Sequence, residues 1–394
     1  MAAPRRRALL SSALLASTAV LGAGCSALGG SSREQAGATK GATRSITDVL
    51  GRTLTVPAQP TRIMLGGQRD LYTTALLNKE NPLDKVLAWP KDLLDNDPGT
   101  YRTYVKKFPA LEKIPRIGEV WDGSFNLEHA LQLRPEVFVI SASSFEDATQ
   151  KGIVSGLEKA GVPTVVTDFF VDPVTHTVPS MRIMGTLFGR EKQAQAFIDF
   201  YEKRAATIRD RLAQRKPEPT RAFLWRAPGY FECCATFKQS NLAKLVTAAG
   251  GRSIGDSLLK AEQGRLSPEA VAAAKPQVIL ATGADWSAAA TPATKGSFVP
   301  LGYSESAADA AAAWKRVIDE QPVLRASGHV AAKRAFAAWH HFYDSPYNIL
   351  ALEWFAKALH PELFADLDPQ ATFRELHETF LPVPAQGTFW TGLP

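Results

Sequence analysis

The feature that most constrains the fold is a fifteen-residue pattern that occurs twice. Residues 126–140 read NLEHALQLRPEVFVI and residues 267–281 read SPEAVAAAKPQVILA, and the two align without a gap. In each copy an Asn or Ser precedes a short helical segment whose first turn carries a Glu, which favours the positive end of the helix dipole. A basic residue and a Pro then end the helix, and an apolar β-branched run follows, as in a buried parallel strand. The repeat predicts two similar α/β lobes.

The rest of the chain fits the same architecture. Further strands are predicted at 85–89, 114–120, 164–167 and 221–225, alternating with helical segments, which indicates mainly parallel central sheets. Between the lobes, apolar residues recur at intervals of mostly three and four and predict one long connecting α-helix, with a break marked by Gly185 and Gly189. A ligand cleft is expected between the lobes. The predicted boundaries are 44–177 for the N-terminal lobe, 178–216 for the helical connector and 217–394 for the C-terminal lobe.

The first 25 residues predict export. Three arginines precede an uncharged Ala- and Leu-rich run and small residues before Cys25, and this apolar run is too short for a membrane span. Arg6-Arg7 is similar to a twin-arginine signal, and export by that route or the general one stays open. Residues 21–25, LGAGC, are similar to a lipobox with its Leu one position early, so lipidation of Cys25 and cleavage without a lipid are both open. Residues 26–43 predict a flexible tether.

Charge and cysteine content argue against a nucleic-acid-binding protein and against a zinc-binding protein. Removing the leader takes away Arg5, Arg6 and Arg7 and no acid, which lowers the formal net charge from +6 to +3. A balance this small gives no support to nucleic-acid binding. In the mature chain Cys233 and Cys234 are adjacent, and the sequence leaves open a disulfide or two unpaired thiols. Their spacing does not suit a zinc site.

Several motifs together carry a family resemblance. They are Asp48-x-x-Gly51-Arg52, Val56-Pro57, Pro60-x-Arg62-Ile63, both Glu-bearing repeats, the long connector and the segment LALEWFAKALHP at 350–361. In this order they resemble the class III periplasmic substrate-binding proteins of ABC importers, the ferrichrome-, haem- and vitamin B12-binding type, over residues 44–380. The resemblance implies a monomeric binding protein rather than an enzyme, in the periplasm or anchored to the outer face of the membrane by lipid. Its partners are expected to be a permease dimer with its ATPase.

The resemblance also implies a role for the Glu of each repeat. In this family one Glu on each lobe pairs with arginines of the permease dimer, and Glu128 and Glu269 occupy those positions. Arg–carboxylate pairing suits the docking of a two-lobed protein on a two-fold partner. The alternative is that both acids only favour a helix N-terminus, which contributes about 0.3–1 kcal/mol each.

Ligand contacts are expected on loops at the strand ends, facing the cleft. Arginine with aromatic residues suits an anionic, partly planar ligand such as a ferric siderophore, with haem or cobalamin as the alternative. No protein-held metal or other cofactor is predicted, because neighbouring His340 and His341 point apart; haem ligation by one of them or by a Tyr is a less favoured alternative. The candidates are Arg69, Trp89, Tyr101, Arg102, Trp121, Trp225, Arg226, Tyr230, Trp286 and His341.

Three rival functions were weighed. Gly255-Asp256-Ser257-Leu258 spells the GDSL esterase motif and 251–255 spells GxSxG, but the first lies far from the N-terminus and the second follows a predicted helix. A zinc or manganese receptor needs several converging His and carboxylate ligands, and the chain has seven His and no tract of them. A structural or adhesive lipoprotein does not explain the internal repeat.

Overall fold

Two mainly parallel sheets organise the chain. The computed structural model describes residues 41–286, 297–326 and 328–393. The predicted leader, Cys25 and residues 26–40 of the predicted tether lie outside these residues, as does the loop that follows Trp286. Residues 41–394 form one unit, in which an N-terminal lobe holds a four-stranded sheet and a C-terminal lobe holds a five-stranded sheet. The predicted α/β class is confirmed, and the predicted lobe boundaries stay a prediction.

The sheet of the N-terminal lobe has the order β4-β3-β5-β6, with every pair parallel. A separate hairpin, β1–β2, is attached to β6 through Asp48, whose Oδ2 accepts from the amide of Val166 at 3.3 Å. The strands of this lobe are β1 (Thr43–Thr47), β2 (Thr53–Pro57), β3 (Ile63–Leu65), β4 (Val86–Ala88), β5 (Val137–Ser141) and β6 (Thr164–Thr167).

The sheet of the C-terminal lobe has the order β13-β12-β11-β7-β9, parallel except for β13 at one edge. A small antiparallel ribbon of β8 and β10 lies beside it. The strands are β7 (Thr220–Trp225), β8 (Ala235–Phe237), β9 (Gly251–Ser253), β10 (Gln263–Arg265), β11 (Val278–Gly283), β12 (Ala335–Trp339) and β13 (Trp390–Gly392).

Helices cover the faces of both sheets. In the first part of the chain they are α1 (Leu71–Leu77), α2 (Asp92–Asn96), α3 (Pro98–Lys107), α4 (Leu127–Gln132), α5 (Ala142–Gln150), α6 (Ile153–Lys159), α7 (Pro173–Phe188) and α8 (Glu191–Arg215). In the second part they are α9 (Leu242–Ala248), α10 (Gly255–Leu258), α11 (Pro268–Ala273), α12 (Ala307–Asp319), α13 (Pro322–Arg325), α14 (Gly328–Ala331), α15 (Asn348–Leu359) and α16 (Pro369–Phe380).

The duplicated unit forms as predicted. Asn126 Oδ1 accepts from the amide of His129 at 2.9 Å, and Ser267 Oγ accepts from the amide of Ala270 at 3.1 Å, so each residue caps its helix. The basic residues that close the helices, Arg134 and Lys275, both adopt positive φ, 53° and 49°. The same cap, the same left-handed ending and the same following strand therefore occur in both lobes.

The connector differs from the prediction at its start. It consists of two helices, α7 and α8, which pack against each other. The first begins at Pro173 rather than near 178, because Asp172 caps it and Pro173 provides its first residue. The break falls at Gly189, which has φ 65°, whereas Gly185 lies inside α7. At 1.5 Å per residue, the 25 residues of α8 give a rod of about 37 Å.

One predicted strand was wrong. In residues 114–120 only Arg116 pairs with the sheet, through a single parallel bridge to Trp89, and the chain then turns at Val120. The polar turn that follows, rather than the apolar residues before it, ends the pairing.

Among the described residues, no helix is long and apolar enough to cross a membrane.

A buried carboxyl group on α15 predicts a pH effect on stability. Glu353 is 4% exposed, and burial raises its pKa from 4.5 to about 7 although Arg204 of α8 lies 3.8 Å away. The folded protein therefore binds more protons than the unfolded chain between pH 4.5 and 7, and its free energy of unfolding falls as pH rises through that range. We expect the fall in Tm between pH 5 and pH 8 to be smaller in Glu353→Gln than in the wild type.

Thermal unfolding followed by circular dichroism at pH 5 and pH 8 checks this expectation. The matched control is Glu375→Gln, which changes the exposed partner of the same Arg204 and should keep the wild-type pH dependence. Equal falls in Tm for Glu353→Gln and the wild type would contradict the assignment.

Candidate ligand cleft

The carboxyl ends of the strands of both sheets meet between the lobes. Strand β3 is followed by Gly66, Gly67 and Arg69, and strand β12 is followed by the segment 340–344. A contact across the gap joins them, because Arg69 Nη1 lies 2.9 Å from Asp344 Oδ2. Ligands of open α/β sheets bind at this edge of the strands. The cleft between the lobes is therefore the candidate site.

Arg69 is the centre of a charged network in the cleft. Its Nε donates to Asp92 Oδ2 at 2.7 Å, and its Nη1 also donates to the hydroxyl of Tyr343. Asp92 is buried and in addition accepts from the backbone amide of Gln68 at 2.5 Å. Burial opposes the charge of Arg69, but Tyr343, Asp344 and Asp92 raise its pKa above the usual value. Arg69 thus forms ion pairs with one carboxylate from each lobe.

The small cavity beside this network is acidic. It has a volume of about 70 Å³. Burial raises the pKa of Asp344 to about 6, and burial also raises the pKa of Asp70 and of Glu119. The charged and aromatic side chains that line it are Arg69, Asp70, Asp92, Glu119, Trp121 and Asp344. We call this space the acidic cavity. Because its one arginine is already paired, the N-terminal side of the cleft is more acidic than the sequence predicts.

Two further contacts hold the lobes together. Arg102 Nη2 lies 2.8 Å from Asp285 Oδ2, with the Arg102 side chain 57% exposed. His341, 1% exposed, donates through Nε2 to the carbonyl of Asn96 at 2.9 Å. Burial lowers the pKa of His341 to about 3, so this histidine is neutral at physiological pH. The predicted ligand residues Arg102 and His341 thus contact the opposite lobe.

Aromatic rings line the C-terminal side of the cleft. The rings of Tyr230 and Trp286 are 4.8 Å apart, those of Trp286 and His340 are 5.2 Å apart, and those of His340 and Tyr343 are 4.6 Å apart. Tyr230 is 36% exposed, whereas Trp286 is buried. We call Tyr230, Phe231, Trp286 and His340 the aromatic wall. A planar or apolar ligand surface has its best partners here.

Arg226 is the cation of this side. Its guanidinium carbon lies 4.5 Å from the ring centre of Phe231 and 5.3 Å from that of Phe237. Nη1 donates to Gln263 at 2.8 Å, while the buried Nε has no acceptor among the described residues. Burial lowers the pKa of Arg226. A buried N–H group without an acceptor is costly, so a ligand oxygen that reaches it would gain a hydrogen bond.

Three of the predicted ligand residues lie in the protein core. Trp89 and Trp225 are at most 1% exposed, and both belong to the main hydrophobic cluster. Tyr101 is 8% exposed, and its hydroxyl accepts from Arg116 Nη2 at 3.4 Å. Trp89 follows β4 directly and Trp225 is the last residue of β7, where side chains alternate between the cleft and the core, whereas Tyr101 lies within α3. In this structure these three contribute packing rather than a cleft surface.

The sequence reasoning missed Asp92, Tyr343 and Asp344. Each follows the carboxyl end of a parallel strand, which is the same signal that identified Arg69. An expected anionic ligand favours arginine over acids at these positions, so the signal of the two acids points away from such a ligand. Among the described residues, no group of three or more His, Cys, Asp or Glu side chains is placed to hold a metal ion.

A model of the family described as periplasmic binding protein matches residues 85–295, more than half of the chain. The chain belongs to the periplasmic binding protein family. The resemblance seen in the sequence is confirmed, and membership implies an extracytoplasmic protein. Periplasmic binding proteins of this kind work with the permease and ATPase of an ABC transporter. A search of curated proteins found no match to this sequence.

Solved structures of other periplasmic binding proteins share the fold. The TroA-like protein FepB from Veillonella parvula is 24% identical, with a TM-score of 0.81 over 89% of this chain and 99% of its own. The molybdate-binding MolA of a Haemophilus influenzae ABC transporter is 16% identical, with a TM-score of 0.62 over 87% and 99%. A haem-binding protein from Pseudomonas aeruginosa is 16% identical, with a TM-score of 0.51 over 77% and 94%.

The predicted docking residues of this periplasmic binding protein lie on its surface. Glu128 and Glu269 are both exposed, each in the first turn of its capped helix, α4 or α11. Among the described residues, neither carboxylate is in an ion pair. Both side chains are therefore available to a partner.

The remaining motifs have local roles. Cys233 and Cys234 form a disulfide with each other, which answers the question that the sequence left open. Ser257 Oγ donates to the carbonyl of Ile254 at 3.2 Å, and Ser253 Oγ accepts from the amide of Gly255 at 3.2 Å. Ser253 itself ends a short strand, β9, that the sequence did not predict.

An open groove of about 640 Å³ lies outside the cleft, between the start of α7 and strand β9. Four charged residues line it, Asp172, Lys244, Arg252 and Asp256, and of these Lys244 and Asp172 pair with each other at 2.5 Å. The cleft instead combines the carboxyl ends of strands from both sheets, a cation with an unused N–H and exposed aromatic rings. The cleft is therefore the candidate ligand site despite its smaller cavity.

Proposed function

We propose that this protein is the solute-binding component of an ABC importer that captures an iron complex, a ferric siderophore, and delivers it to the permease. The observation that carries the proposal is the pairing of Arg226, with its unused Nε–H, and the aromatic wall at the carboxyl ends of the strands. A ferric siderophore offers what these groups bind, since it presents oxygen acceptors around the iron and planar or apolar surfaces beside them.

The acidic cavity narrows this ligand class. Asp70, Glu119 and Asp344 line a cavity that contains one arginine, already paired. Because Arg69 is already paired with Asp92 and Asp344, this side of the cleft offers no free cation to a strongly anionic complex, and a complex of low net charge is favoured. Neutral iron complexes that carry hydroxamate oxygens fit this balance better than trianionic ones. The proposed ligand is therefore nearly neutral, whereas the sequence led us to expect an anionic one.

Binding requires the lobes to separate. Ligand pockets generally enclose about 300–1,000 Å³, well above the acidic cavity of about 70 Å³. The contacts to be released are Arg69–Asp344, Arg102–Asp285 and His341–Asn96, all of them between the lobes. The ligand would then lie against the aromatic wall.

A titration panel tests the ligand class. Purified protein is titrated with a ferric trihydroxamate, a ferric tricatecholate, haem, cobalamin, molybdate and free ferric ion, and binding is followed by tryptophan fluorescence and calorimetry. We expect saturable binding of the trihydroxamate complex with a Kd in the micromolar range or below, and no binding of free iron. Absence of binding to every iron complex would refute the proposal, and preference for haem or cobalamin would reassign the ligand.

Arg226 gives a sharper prediction. We expect Arg226→Met to lower the affinity for the bound iron complex by at least tenfold, because a charge-assisted hydrogen bond contributes about 1.5–3 kcal/mol. Calorimetry measures the effect. The matched control is Arg252→Met, an exposed arginine on β9 outside the cleft, which should leave the Kd unchanged. Equal affinities of both variants would remove Arg226 from the site.

Delivery is proposed to use Glu128 and Glu269, one on each lobe, as partners for basic residues of the permease dimer. Their exposure and their lack of a cation among the described residues support this role. We also propose that the mature protein is a monomer anchored by lipid at Cys25. Metabolic labelling with a fatty acid, compared between wild type and Cys25→Ala, tests the anchor.

A further inference from the structure

A second sequence echo lies beside the docking residues. Residues 116–121 read RIGEVW and residues 253–258 read SIGDSL, so Gly118 aligns with Gly255 and Trp121 with Leu258. In both copies the Ile is buried, at 6% and 5% exposure. The last residue of each copy is instead a large apolar side chain facing solvent, since Trp121 is 65% exposed and Leu258 is 43% exposed.

The backbone of both copies is tightly packed at the glycine. A Cβ on Gly118 would lie 2.0 Å from the carbonyl oxygen of Ser124, and a Cβ on Gly255 would lie 2.2 Å from that of Phe237. No other residue fits at either position without moving the backbone. The backbone that presents each apolar side chain, a turn at Trp121 and the short helix α10 at Leu258, is therefore fixed by its neighbours.

The acid after each glycine points inward and holds the turn. Glu119 accepts from Trp121 Nε1, and its amide donates to Ser124 Oγ at 2.9 Å. Asp256 accepts from the amide of Gln239 at 2.8 Å. Since these groups are satisfied locally, the exposure of the apolar residue two positions later is not the result of a loose loop.

Segments 116–121 and 253–258 each end at the carboxyl edge of the sheet in their lobe. The docking helices α4 and α11 begin at the same edge. Arg116 pairs in parallel beside β4 and the strand 251–253 pairs in parallel with β7, so each chain emerges at the carboxyl edge. Helices α4 and α11 each precede a parallel strand and therefore start at that edge. Each lobe thus has one exposed acid and one exposed apolar side chain at this edge: Glu128 with Trp121, and Glu269 with Leu258.

We propose that Trp121 and Leu258 are the apolar half of the permease-docking surface, each inserting into an apolar recess beside the basic residues that Glu128 and Glu269 contact. The inference rests on the docking role given above. A fixed, exposed aromatic or Leu at an edge that recurs in both lobes fits a partner with two equivalent sites. Trp121 has the larger apolar surface, so the contact of the N-terminal lobe is the stronger one.

Site-specific cross-linking tests the surface without knowledge of the ligand. A photoreactive phenylalanine analogue is placed singly at positions 121, 258, 128 and 50 of the full chain, expressed in the source organism, and the cross-linked membrane protein is identified by mass spectrometry. Leu50, 45% exposed in the β1–β2 turn, is the matched control. We expect the permease to be captured from 121, 258 and 128 and not from 50.

The outcomes distinguish the docking role of Glu128 and Glu269 from the apolar contact of Trp121 and Leu258. Capture from 128 but from neither 121 nor 258 overturns the apolar surface and leaves the docking role intact. Failure at all three positions overturns the docking role together with this inference. As a second measurement, the double variant Trp121→Ser/Leu258→Ser should reduce capture from position 128 at least tenfold, while Leu50→Ser does not. Unchanged capture in the double variant also overturns the proposal.

Discussion

Uptake of the iron complex should fall to background when both docking acids are reversed in charge, as Glu128→Lys/Glu269→Lys, while the Kd for the ligand stays within about twofold. Both carboxylates are exposed and lie at the starts of α4 and α11, far in sequence from Arg226 and the aromatic wall. Reversal replaces an attraction by a repulsion at each permease contact, and like charges at an interface cost several kcal/mol. Transport of the radiolabelled complex in cells and calorimetry on purified protein measure the two quantities.

The control for this double reversal keeps the same change in net charge. Glu202→Lys/Glu362→Lys alters two exposed acids, on α8 and after α15, and should transport normally. Loss of the helix-dipole contribution costs about 0.3–1 kcal/mol at each docking helix, so both double variants should remain folded. A loss of ligand affinity together with uptake would place the acids in the binding site instead.

Arg69→Met should lower the free energy of unfolding by roughly 3–5 kcal/mol, because removing one partner of a buried ion pair leaves an uncompensated charge. Asp92 is 5% exposed and Asp344 is 19% exposed at the side chain, and both depend on this arginine. Urea denaturation measures the change. Because burial raises the pKa of Asp344 to about 6, this carboxyl group is mostly protonated at pH 5 and charged at pH 8, so the deficit should be smaller at pH 5.

Arg102→Met provides the comparison, since Arg102 also joins the two lobes but is 57% exposed. Solvent screening limits such a pair to about 1 kcal/mol or less. Similar losses from both variants would show that Arg69 contributes no more than a surface arginine. A loss that does not change with pH would contradict the role of Asp344.

Most of the correct structural predictions derive from the fifteen-residue repeat. The caps at Asn126 and Ser267 and the two parallel strands after them are local consequences of residue type and spacing, and the structure has all of them. The prediction of a strand at 114–120 was wrong because a strand forms only where a neighbouring backbone segment pairs with it. The local sequence pattern does not show which segment lies alongside.

The cleft was predicted less completely. Strand ends identified Arg69, Arg226 and Tyr230, but the same rule placed Trp89 and Trp225 in the cleft although both are core residues. A residue near the end of a strand faces either side depending on register, and one position reverses its direction. The short strand β13 was also missed, since its antiparallel pairing with β12 joins residues that are far apart in the sequence.

The sequence by itself determined the two α/β lobes, the capped repeats that hold Glu128 and Glu269 outward, and the long connector, because each rests on interactions within a few residues of chain. Only the tertiary structure decided that Arg69 is already paired with acids from both lobes, that Arg226 keeps an unused N–H, and that the cleft is more acidic than its arginines indicate. Such properties arise from charges and rings that distant segments bring within a few ångströms of each other, and local sequence does not encode those distances.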